Sequence, residues 1–313
     1  MQAMTIVEHS KTEGTDKLTQ AYVEIFADKS DILMALPYKN VSGGAYPYTV
    51  EDEAGGIAFR GINESYTPST GVENPQVEQL KIAGGDIDVD AAILKTQGMS
   101  RRAREEKKKI KHLARNITDA ILGGDTSSNA REFDGIQRRL RGDQVLDNSK
   151  GAAGGAPLSL MALDDMISRV SGANYLIMNR KFRDVHFNAL RRNQSLTGNL
   201  DMYKSEHLGV PVMMYNKIPM LVGYEAGPEG FILPFEEVAA GGGAAQTASI
   251  YAVRFEDGYM CGLQDSPIDV RDLGEIDDAP VYRTRMEWIS GLAIEHPFAA
   301  ARLTGITDEP IVA

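Results

Sequence analysis

The sequence has little cysteine and no long apolar run. Cys261 is its single cysteine, which excludes an internal disulfide and a zinc site built from several thiolates. No stretch approaches the roughly 20 continuous apolar residues of a membrane-spanning helix. Residues 1–16 lack the apolar segment of a signal peptide. We therefore expect synthesis in a reducing cytoplasm and no membrane partner.

The sequence also lacks the motifs that mark common catalytic centres. The glycine-rich stretch 150–155 is not followed by the Lys and hydroxyl residue that would hold a nucleotide phosphate and magnesium. The GxGxxG, HExxH and GxSxG patterns are absent. No ligand spacing relates the histidines, which are His9, His112, His186, His207 and His296. We expect no enzyme activity, no cofactor and no metal.

Basic residues are outnumbered by acidic ones. The 313 residues include 33 Lys and Arg against 44 Asp and Glu, a formal net charge of −11, so the molecule as a whole should repel phosphate backbones. Apolar residues make up 42% and charged residues 25%, as in ordinary folded proteins. This length predicts a sizeable core and two compact lobes.

The first third of the chain combines a helix with a polar β-like excursion. After a polar lead-in over 1–16, apolar residues at steps of three and four predict a helix over 17–34, which Pro37 ends. β-like runs at 56–60 and 79–82 flank residues too polar for a core, which predicts a long two-stranded excursion. Such a hairpin is not stable alone in water, so we expect it to lie on a neighbouring subunit.

A long charged helix follows. It is predicted to begin within 90–100 and to run to Leu122 along a narrow apolar stripe, with Gly123 or Gly124 closing it in the left-handed conformation. At 1.5 Å per residue it should be roughly 35 to 45 Å long. Residues 100–115 are rich in Arg and Lys and contain no aromatic residues. We interpret them as a solvated face with local ion pairs, or as a docking surface for acidic segments of neighbours, in preference to a phosphate-binding surface.

The rest of the chain predicts a mixed lobe of helices and strands. Residues 141–155 are polar and glycine-rich and suit a loop or a boundary between lobes. An alternating stretch over 281–294 predicts an antiparallel pair with a bend or bulge at 290–291, and the last strand should end near Leu303. Between them we predict helices at 158–170 and 180–192 and strands at 175–178, 210–215, 219–224 and 249–255, with a turn at Asn216–Lys217.

Two polar patterns suggest chemistry. Asp86, Asp88 and Asp90 alternate along a strand-like segment, so their carboxylates would share one face and could bind a hard cation. We prefer a solvated strand face leading to a helix N-terminus, because the glycine and distal Glu of an EF-hand are missing. Lys81 could attack an Asn side chain with help from a Glu and form a crosslink, but the sequence identifies neither partner, and an uncrosslinked surface lysine is preferred.

An ordered series of short stretches runs along most of the chain. They are AFRGINE at 58–64, GGDIDVD at 84–90, the long helix, GGD at 123–125, FDGI at 133–136, LGVPV at 208–212, SIYAVRF at 249–255, and TRMEW at 284–288 followed by HP at 296–297. In this order and spacing they resemble the major capsid proteins of tailed double-stranded DNA bacteriophages, which have the HK97 fold.

The resemblance implies an α+β HK97-like capsid fold. Residues 1–36 would be an N-terminal arm, and 37–92 would contain an extended loop (E-loop), a β-hairpin that overlaps a neighbouring subunit. The peripheral P-domain, with the long helix as its spine, would comprise 93–140 and 265–313. Residues 141–264 would form an α/β A-domain.

The resemblance also implies a structural function. The chain would self-assemble into the icosahedral head shell of the virion, around a double-stranded DNA genome that it contacts non-specifically, after synthesis in the host bacterial cytoplasm. The expected partners are further copies in hexameric and pentameric capsomers, a separate scaffolding protein, a portal and a decoration protein. The candidate intersubunit contact residues are Arg60, Glu64, Lys81, Arg101, Arg102 and Arg104.

Three alternatives stay open at this point. An encapsulin-like compartment would keep the fold and enclose a cargo protein. A sequence-independent DNA-binding protein would use the basic face of the long helix. A metal hydrolase would use Asp86, Asp88 and Asp90 and is the most distant of the three.

Overall fold

The computed structural model describes residues 3–12, 17–53, 56–66, 70–192, 200–204, 211–224 and 230–312. Its α-helices are α1 Ile6–Thr12, α2 Lys17–Asp28, α3 Asp31–Ala35, α4 Ala91–Gln97, α5 Ser100–Gly123, α6 Ile136–Arg139, α7 Leu160–Ser168 and α8 Asn188–Arg192, with a 3-10 turn at Gly142–Gln144 and a π-helical segment at Phe182–Phe187. Its strands are β1 Tyr38–Asn40, β2 Ala45–Glu53, β3 Val72–Gln79, β4 Lys81–Asp90, β5 Val145–Asp147, β6 Tyr175–Ile177, β7 Leu200–Lys204, β8 Pro211–Tyr215, β9 Ile218–Leu221, β10 Glu237–Val238, β11 Ala245–Val253, β12 Met260–Gln264, β13 Asp269–Glu275, β14 Val281–Ile294 and β15 Ala300–Thr307.

Helix α1 lies in the segment predicted to be a polar lead-in. Its start is a capping box, in which the Thr5 backbone N–H donates to Glu8 Oε2 at 2.9 Å and the Glu8 N–H donates to Thr5 Oγ1 at 3.4 Å. Ile6 is fully buried. The capping box and this one apolar anchor hold a helix that the polar composition did not predict.

The helix predicted over 17–34 is two helices, α2 and α3, with a break before Asp31. The Asp31 carboxylate accepts hydrogen bonds from the backbone N–H groups of Val222 (2.8 Å) and Gly223 (2.7 Å), and the Asp31 N–H donates to Gly223 O (3.1 Å). Ser30 is extended, with φ −143° and ψ 122°. Contacts with the loop after β9 therefore bend a segment whose own periodicity suits one continuous helix.

Strand β14 organises the first sheet. Strand β4 pairs antiparallel along it from Val281↔Asp90 to Ser290↔Lys81, while β13 and then β12 pair along its other side. Strand β1 adds to β12 in parallel. The predicted bend or bulge at 290–291 is wrong, because β14 runs through this point as one strand. What changes along it is the neighbouring strand, which is β13 at first and β12 from Ser290 onward.

Helix α5 packs on this sheet through its apolar stripe. The predicted stripe residues Ile110, Leu113, Ala114, Ile117 and Ile121 are buried, whereas Ala103 is exposed. Gly98, with φ +75°, separates α5 from the short helix α4. The core between the arm and the sheet centres on Trp288, which contacts Phe26 edge-on at 5.3 Å between ring centroids.

The second sheet has the strand order β5-β15-β11-β6-β9-β8-β7, with β10 paired to β11. The predicted turn at Asn216–Lys217 joins β8 and β9, and both residues have positive φ (48° and 66°), as in a type I′ hairpin turn. The helix predicted over 180–192 begins as the π-helical segment, and residues 208–210 of the predicted strand and motif lie outside the described residues.

The sheets cross the predicted domain boundaries. Strand β15 falls within 265–313 but pairs with β11 and β5 in the second sheet, and β12 falls within 141–264 but pairs with β14 in the first. Strands β1 and β4, which fall within the predicted extended-loop region 37–92, also join the first sheet. The division into P-domain and A-domain stays a prediction.

Candidate functional site

The hairpin formed by β2 and β3 is a two-stranded sheet. Its antiparallel register runs from Ala45↔Gln79 to Glu53↔Val72. This agrees with the predicted two-stranded excursion, but the strands lie elsewhere than predicted. Residues 56–60, predicted as a strand because of their apolar run, form the tip of the hairpin without strand pairing.

The hairpin tip, residues 56–66, presents apolar side chains to solvent. Ile57, Phe59 and Ile62 are 99%, 106% and 94% exposed, so their side chains bury nothing within this chain. Large apolar residues clustered at such exposure mark interaction surfaces in soluble proteins. The tip is therefore suited to contact another molecule.

Arg60 and Glu64 lie together in a turn at this tip. The Gly61 backbone N–H donates to Glu64 Oε2 at 2.8 Å, and Arg60 Nη1 donates to the backbone carbonyl of Glu64 at 3.2 Å. The Arg60 guanidinium also lies 5.3 Å from the centre of the Tyr66 ring. These contacts shape the tip within one chain, and an ion pair of Arg60 or Glu64 across a subunit boundary stays a prediction.

A first cluster, the lysine anchor, holds the base of β2. Lys39 Nζ lies 2.6 Å from both Glu295 Oε1 and Asp257 Oδ1, and Tyr46 OH donates to Glu295 Oε1 at 2.8 Å. Burial alone would lower the pKa of Lys39, but its hydrogen bonds to Asp257 and Glu295 raise it. The anchor thus keeps a charged amine beside the first residues of the hairpin.

A second cluster, the arginine anchor, holds the base of β3. Arg139 forms a bidentate pair with the Glu78 carboxylate, with Nη2 at 2.8 Å from Oε2, and it donates to Leu292 O at 3.0 Å. Tyr48 OH donates to Glu78 Oε1 at 3.0 Å, and burial followed by the Glu78 charge raises the pKa of Tyr48. Bidentate arginine–carboxylate pairs fix geometry as well as supplying energy.

The turn after α5 places Arg139. The Gly135 N–H donates to Gly124 O at 2.9 Å, and Arg139 Nε donates to Asp134 O at 2.9 Å. A Cβ on Gly124 would lie 2.4 Å from Phe133 O, so only glycine fits. The predicted left-handed closure is wrong, since Gly124 has φ −55° and ψ 140°. Glycine is required at 124 because its backbone lies close to Phe133 O, and not because the residue takes a left-handed conformation.

The basic residues of α5 divide into buried and exposed sets. Arg102 is buried and donates to Thr284 Oγ1 (2.7 Å), and its Nη2 lies 2.5 Å from Asp272 Oδ1. Arg101 pairs with Glu105 at 2.9 Å, whereas Arg104 is exposed. The partners found for Arg102 belong to its own chain. Intersubunit roles for these three arginines stay predictions.

Lys81 and the aspartate row have partners in the same chain. Lys81 Nζ donates to Ala130 O at 3.1 Å, and its predicted role between subunits is untested by this contact. Asp86 and Asp88 form bidentate pairs with Arg285 and Arg283, with shortest distances of 2.7 and 2.6 Å. Asp90 caps α4 by accepting from the Ala92 N–H at 2.7 Å. The row is an exposed strand face that leads to a helix N-terminus, as the sequence predicted, and the structure adds an ion-pair ladder with Arg283 and Arg285.

The described residues provide little for catalysis. Within the described ranges, no three His, Cys, Asp or Glu side chains meet where they could share a metal ion. The thiol of Cys261 is buried, and burial raises its pKa to about 12, which disfavours the thiolate that a nucleophile needs. None of the helices in the described part of the chain has both the length and the hydrophobicity of a membrane span.

Sequence reasoning missed both anchors. Their members Lys39, Tyr46, Glu78, Arg139 and Glu295 lie in separate elements, and the Glu78–Arg139 contact joins residues 61 positions apart. The FDGI motif at 133–136 is the part of the sequence that bears on the arginine anchor, because the tight turn that it forms places Arg139 beside Glu78.

The fold is shared with solved shell structures. A chain of the holo-SrpI encapsulin complex from Synechococcus elongatus PCC 7942 is 13% identical, with a TM-score of 0.64 over 89% of this chain and 88% of that chain. A chain of the capsid of the native GTA particle is 16% identical, with a TM-score of 0.58 over 88% and 90% of the two chains. A chain of the capsid of Myoviridae phage XM1 is 12% identical, with a TM-score of 0.56 over 88% and 91%.

These structures define the class of fold. No protein-family model matches the chain, and no curated protein matches it in sequence. The chain is a mixed α+β protein with the architecture of capsid and encapsulin subunits. It has the HK97-like capsid fold, which confirms the predicted fold class.

Proposed function

We propose that this chain is a major capsid protein, which self-assembles into the icosahedral head shell of a tailed phage around its double-stranded DNA. The observation that carries the proposal is the anchored hairpin. Two partly buried ionic clusters hold its base, while Ile57, Phe59 and Ile62 at its tip are almost fully exposed. A single subunit gains nothing from an apolar tip held away from its core, whereas a shell subunit gains a contact with its neighbour.

The proposal includes the composition of the shell and of the virion. Identical subunits form hexameric and pentameric capsomers, in which each hairpin overlaps a neighbour. A separate scaffolding protein, a portal and a decoration protein complete the head, and the enclosed DNA is contacted non-specifically. The net charge of −11 supports a wall that holds DNA without strong adhesion. The protein acts through its interfaces and performs no catalysis.

A compartment shell is the second candidate, because the encapsulin chain superposes with a TM-score of 0.64. Both functions use the same assembly surfaces and differ in what the shell encloses. A DNA-binding subunit acting through the basic residues of α5 is less well supported, since Arg101 pairs with Glu105 and Arg102 is buried in a local network.

The test is expression of the chain, alone and with a candidate scaffolding protein, followed by electron microscopy of nuclease-treated particles. Closed icosahedral shells support the proposal, and shells that carry a cargo protein and exclude DNA favour the compartment. A chain that stays monomeric under every condition and binds DNA with strong salt dependence supports the DNA-binding alternative.

A further inference from the structure

We propose that four cations on the solvent side of α5 form the surface through which the shell contacts the phosphates of the enclosed DNA. The inference rests on the proposed function and deepens it, because it assigns the non-specific DNA contact to particular side chains. They are Arg104, Lys107, Lys108 and Lys111, which together form the basic row. The first three are exposed and Lys111 is half-buried.

The basic row lies on one side of its helix. An α-helix turns by about 100° per residue, so the four side chains fall within an arc of about 100°. The apolar stripe that packs on the core, with Ile110, Leu113 and Ile117, lies on the other side. At 1.5 Å per residue the row is about 10 Å long. It is therefore a compact positive surface directed away from the core.

The remaining cations of α5 are committed within the chain. Arg102 and Arg115 are buried, and Arg101 is ion-paired on its own helix. The Lys109 side chain lies against the sheet, where a Cβ on Gly85 would be 2.9 Å from Lys109 Nζ. The cations that another molecule can reach are thus mainly those of the basic row.

The acidic residues of α5 leave the basic row positive. Glu106 is buried in the network of Arg102, and Asp119 lies about two helical turns beyond the row. Glu105 is the acidic residue beside the row, and its Oε1 lies 3.1 Å from Lys108 Nζ. The other three members of the row form no ion pair with any residue that the structure describes. Their charges are available to a partner.

Duplex DNA is the partner that this surface fits. Protein interfaces are anchored by apolar and aromatic side chains at their centre, and the basic row has none. Residues 100–115 also contain no aromatic side chain on which the bases of a single strand could stack. Long cationic side chains without such anchors suit the phosphates of a duplex, which carry no sequence information.

The opposite face of the first sheet suits DNA less well. Thr284 contacts Arg102 of α5, so the alternate residues of β14 point to the other face. The arginines on that face are each ion-paired within the chain, which reduces their attraction for phosphate. They are Arg271 with Glu287, Arg283 with Asp88 and Arg285 with Asp86.

The size of the basic row predicts a weak contact. Each phosphate that a protein neutralises steepens the dependence of log K on log salt concentration by about 0.9, so four cations give a slope no steeper than about −3.6 per subunit. A single subunit should therefore hold DNA weakly, while many copies add their contacts around the enclosed genome. This agrees with a net charge of −11 for the chain as a whole.

Crosslinking in filled heads tests the contact directly. DNA-filled particles are treated with formaldehyde, and the lysines joined to DNA are identified by mass spectrometry after digestion. We expect DNA adducts at Lys107, Lys108 and Lys111, and none at Lys150 and Lys217, which are exposed and lie outside the row. Adducts that fall elsewhere, with none on the basic row, would overturn the inference and leave the proposed function intact.

Removal of charge provides the second measurement, on the unassembled chain and a DNA duplex over a series of salt concentrations. In the triple variant Arg104→Gln, Lys107→Gln and Lys111→Gln the slope of log K against log salt should fall to about −0.9, and binding at low salt should weaken at least roughly tenfold.

A matched control removes the same charge from exposed residues outside the row. It carries Arg131→Gln, Lys150→Gln and Lys217→Gln. Its slope and affinity should equal those of the unchanged chain, and equal losses in the two triple variants would overturn the inference. Displacement of the duplex by polyglutamate at equal charge concentration would assign the row to an acidic protein partner instead. A chain that forms no DNA-filled shell removes both this inference and the function on which it rests.

Discussion

The arginine anchor should be the most sensitive point at the base of the hairpin. In Glu78→Gln the Arg139 guanidinium keeps its bonds to Leu292 O and Asp134 O but loses the carboxylate that balances its charge. Removing one partner of a buried pair costs about 3–5 kcal/mol. The side chains of Arg139 and Glu78 are 15% and 20% exposed, so we expect the lower end, about 3 kcal/mol.

Urea unfolding of the unassembled chain, followed by circular dichroism, measures this loss, and hydrogen exchange of the β3 amides shows whether the hairpin detaches first. Glu73→Gln is the matched control, since Glu73 lies on the same strand and is exposed, and it should change stability by less than about 0.5 kcal/mol. Arg139→Met in the Glu78→Gln background should recover stability, because it removes the unbalanced charge.

A loss below about 1 kcal/mol for Glu78→Gln, or equal losses for it and for Glu73→Gln, would refute the anchor. A double variant that is less stable than Glu78→Gln alone would show that Arg139 stabilises the chain through its backbone contacts and not through the pair.

Two further predictions concern the helix end and the ion-pair ladder. Gly124→Ala should destabilise the chain by more than about 2 kcal/mol, because its Cβ would lie 2.4 Å from Phe133 O. Gly123→Ala, which has no close backbone neighbour, should stabilise the chain by up to about 1 kcal/mol. Equal thermal unfolding temperatures for the two variants would contradict this prediction. The hydrogen bonds from Arg285 lower the folded-state pKa of Asp86 below its unfolded value, so the stability that the pair supplies is present above about pH 4 and is lost as the pH falls through the lowered pKa. In Asp86→Asn the urea midpoint should fall less steeply between about pH 4 and pH 2 than in the unchanged chain. An equal dependence of the midpoint on pH in both chains would show that the pair contributes nothing.

Local sequence pattern predicted the parts of the fold that depend on neighbouring residues. The stripe of Ile110, Leu113, Ile117 and Ile121 marked α5 because its spacing alone places these residues on one face. The Asn216–Lys217 turn was equally local. The Thr5–Glu8 capping box is local as well, but the polar composition of residues 1–16 predicted no helix there.

Elements set by distant contacts could not be predicted in this way. The apolar run at 56–60 has the composition of a strand, yet it forms an exposed tip, because its partner is expected on another molecule. Glycine commonly closes helices in the left-handed conformation, which predicted that role for Gly123 or Gly124, whereas Gly124 is required because its backbone approaches Phe133 O. The anchors join Lys39 to Glu295 and Glu78 to Arg139, and no pattern within one segment contains both members of either pair.

The resemblance to phage capsid proteins predicted the fold correctly, and the structure sharpens the expectations about the interfaces. The candidate contact residues Arg60 and Glu64 shape the tip within one chain, and Arg102 is committed to a buried network. The proposed intersubunit contact therefore moves to the apolar tip residues, with Arg60 as their charged companion.

Electron microscopy of the purified chain, expressed alone and with its candidate scaffolding protein, tests the central claim most directly. The proposed function predicts closed icosahedral shells built from hexameric and pentameric rings, with the hairpin of each subunit lying over its neighbour. Folded monomers or small open oligomers under all of these conditions would contradict it.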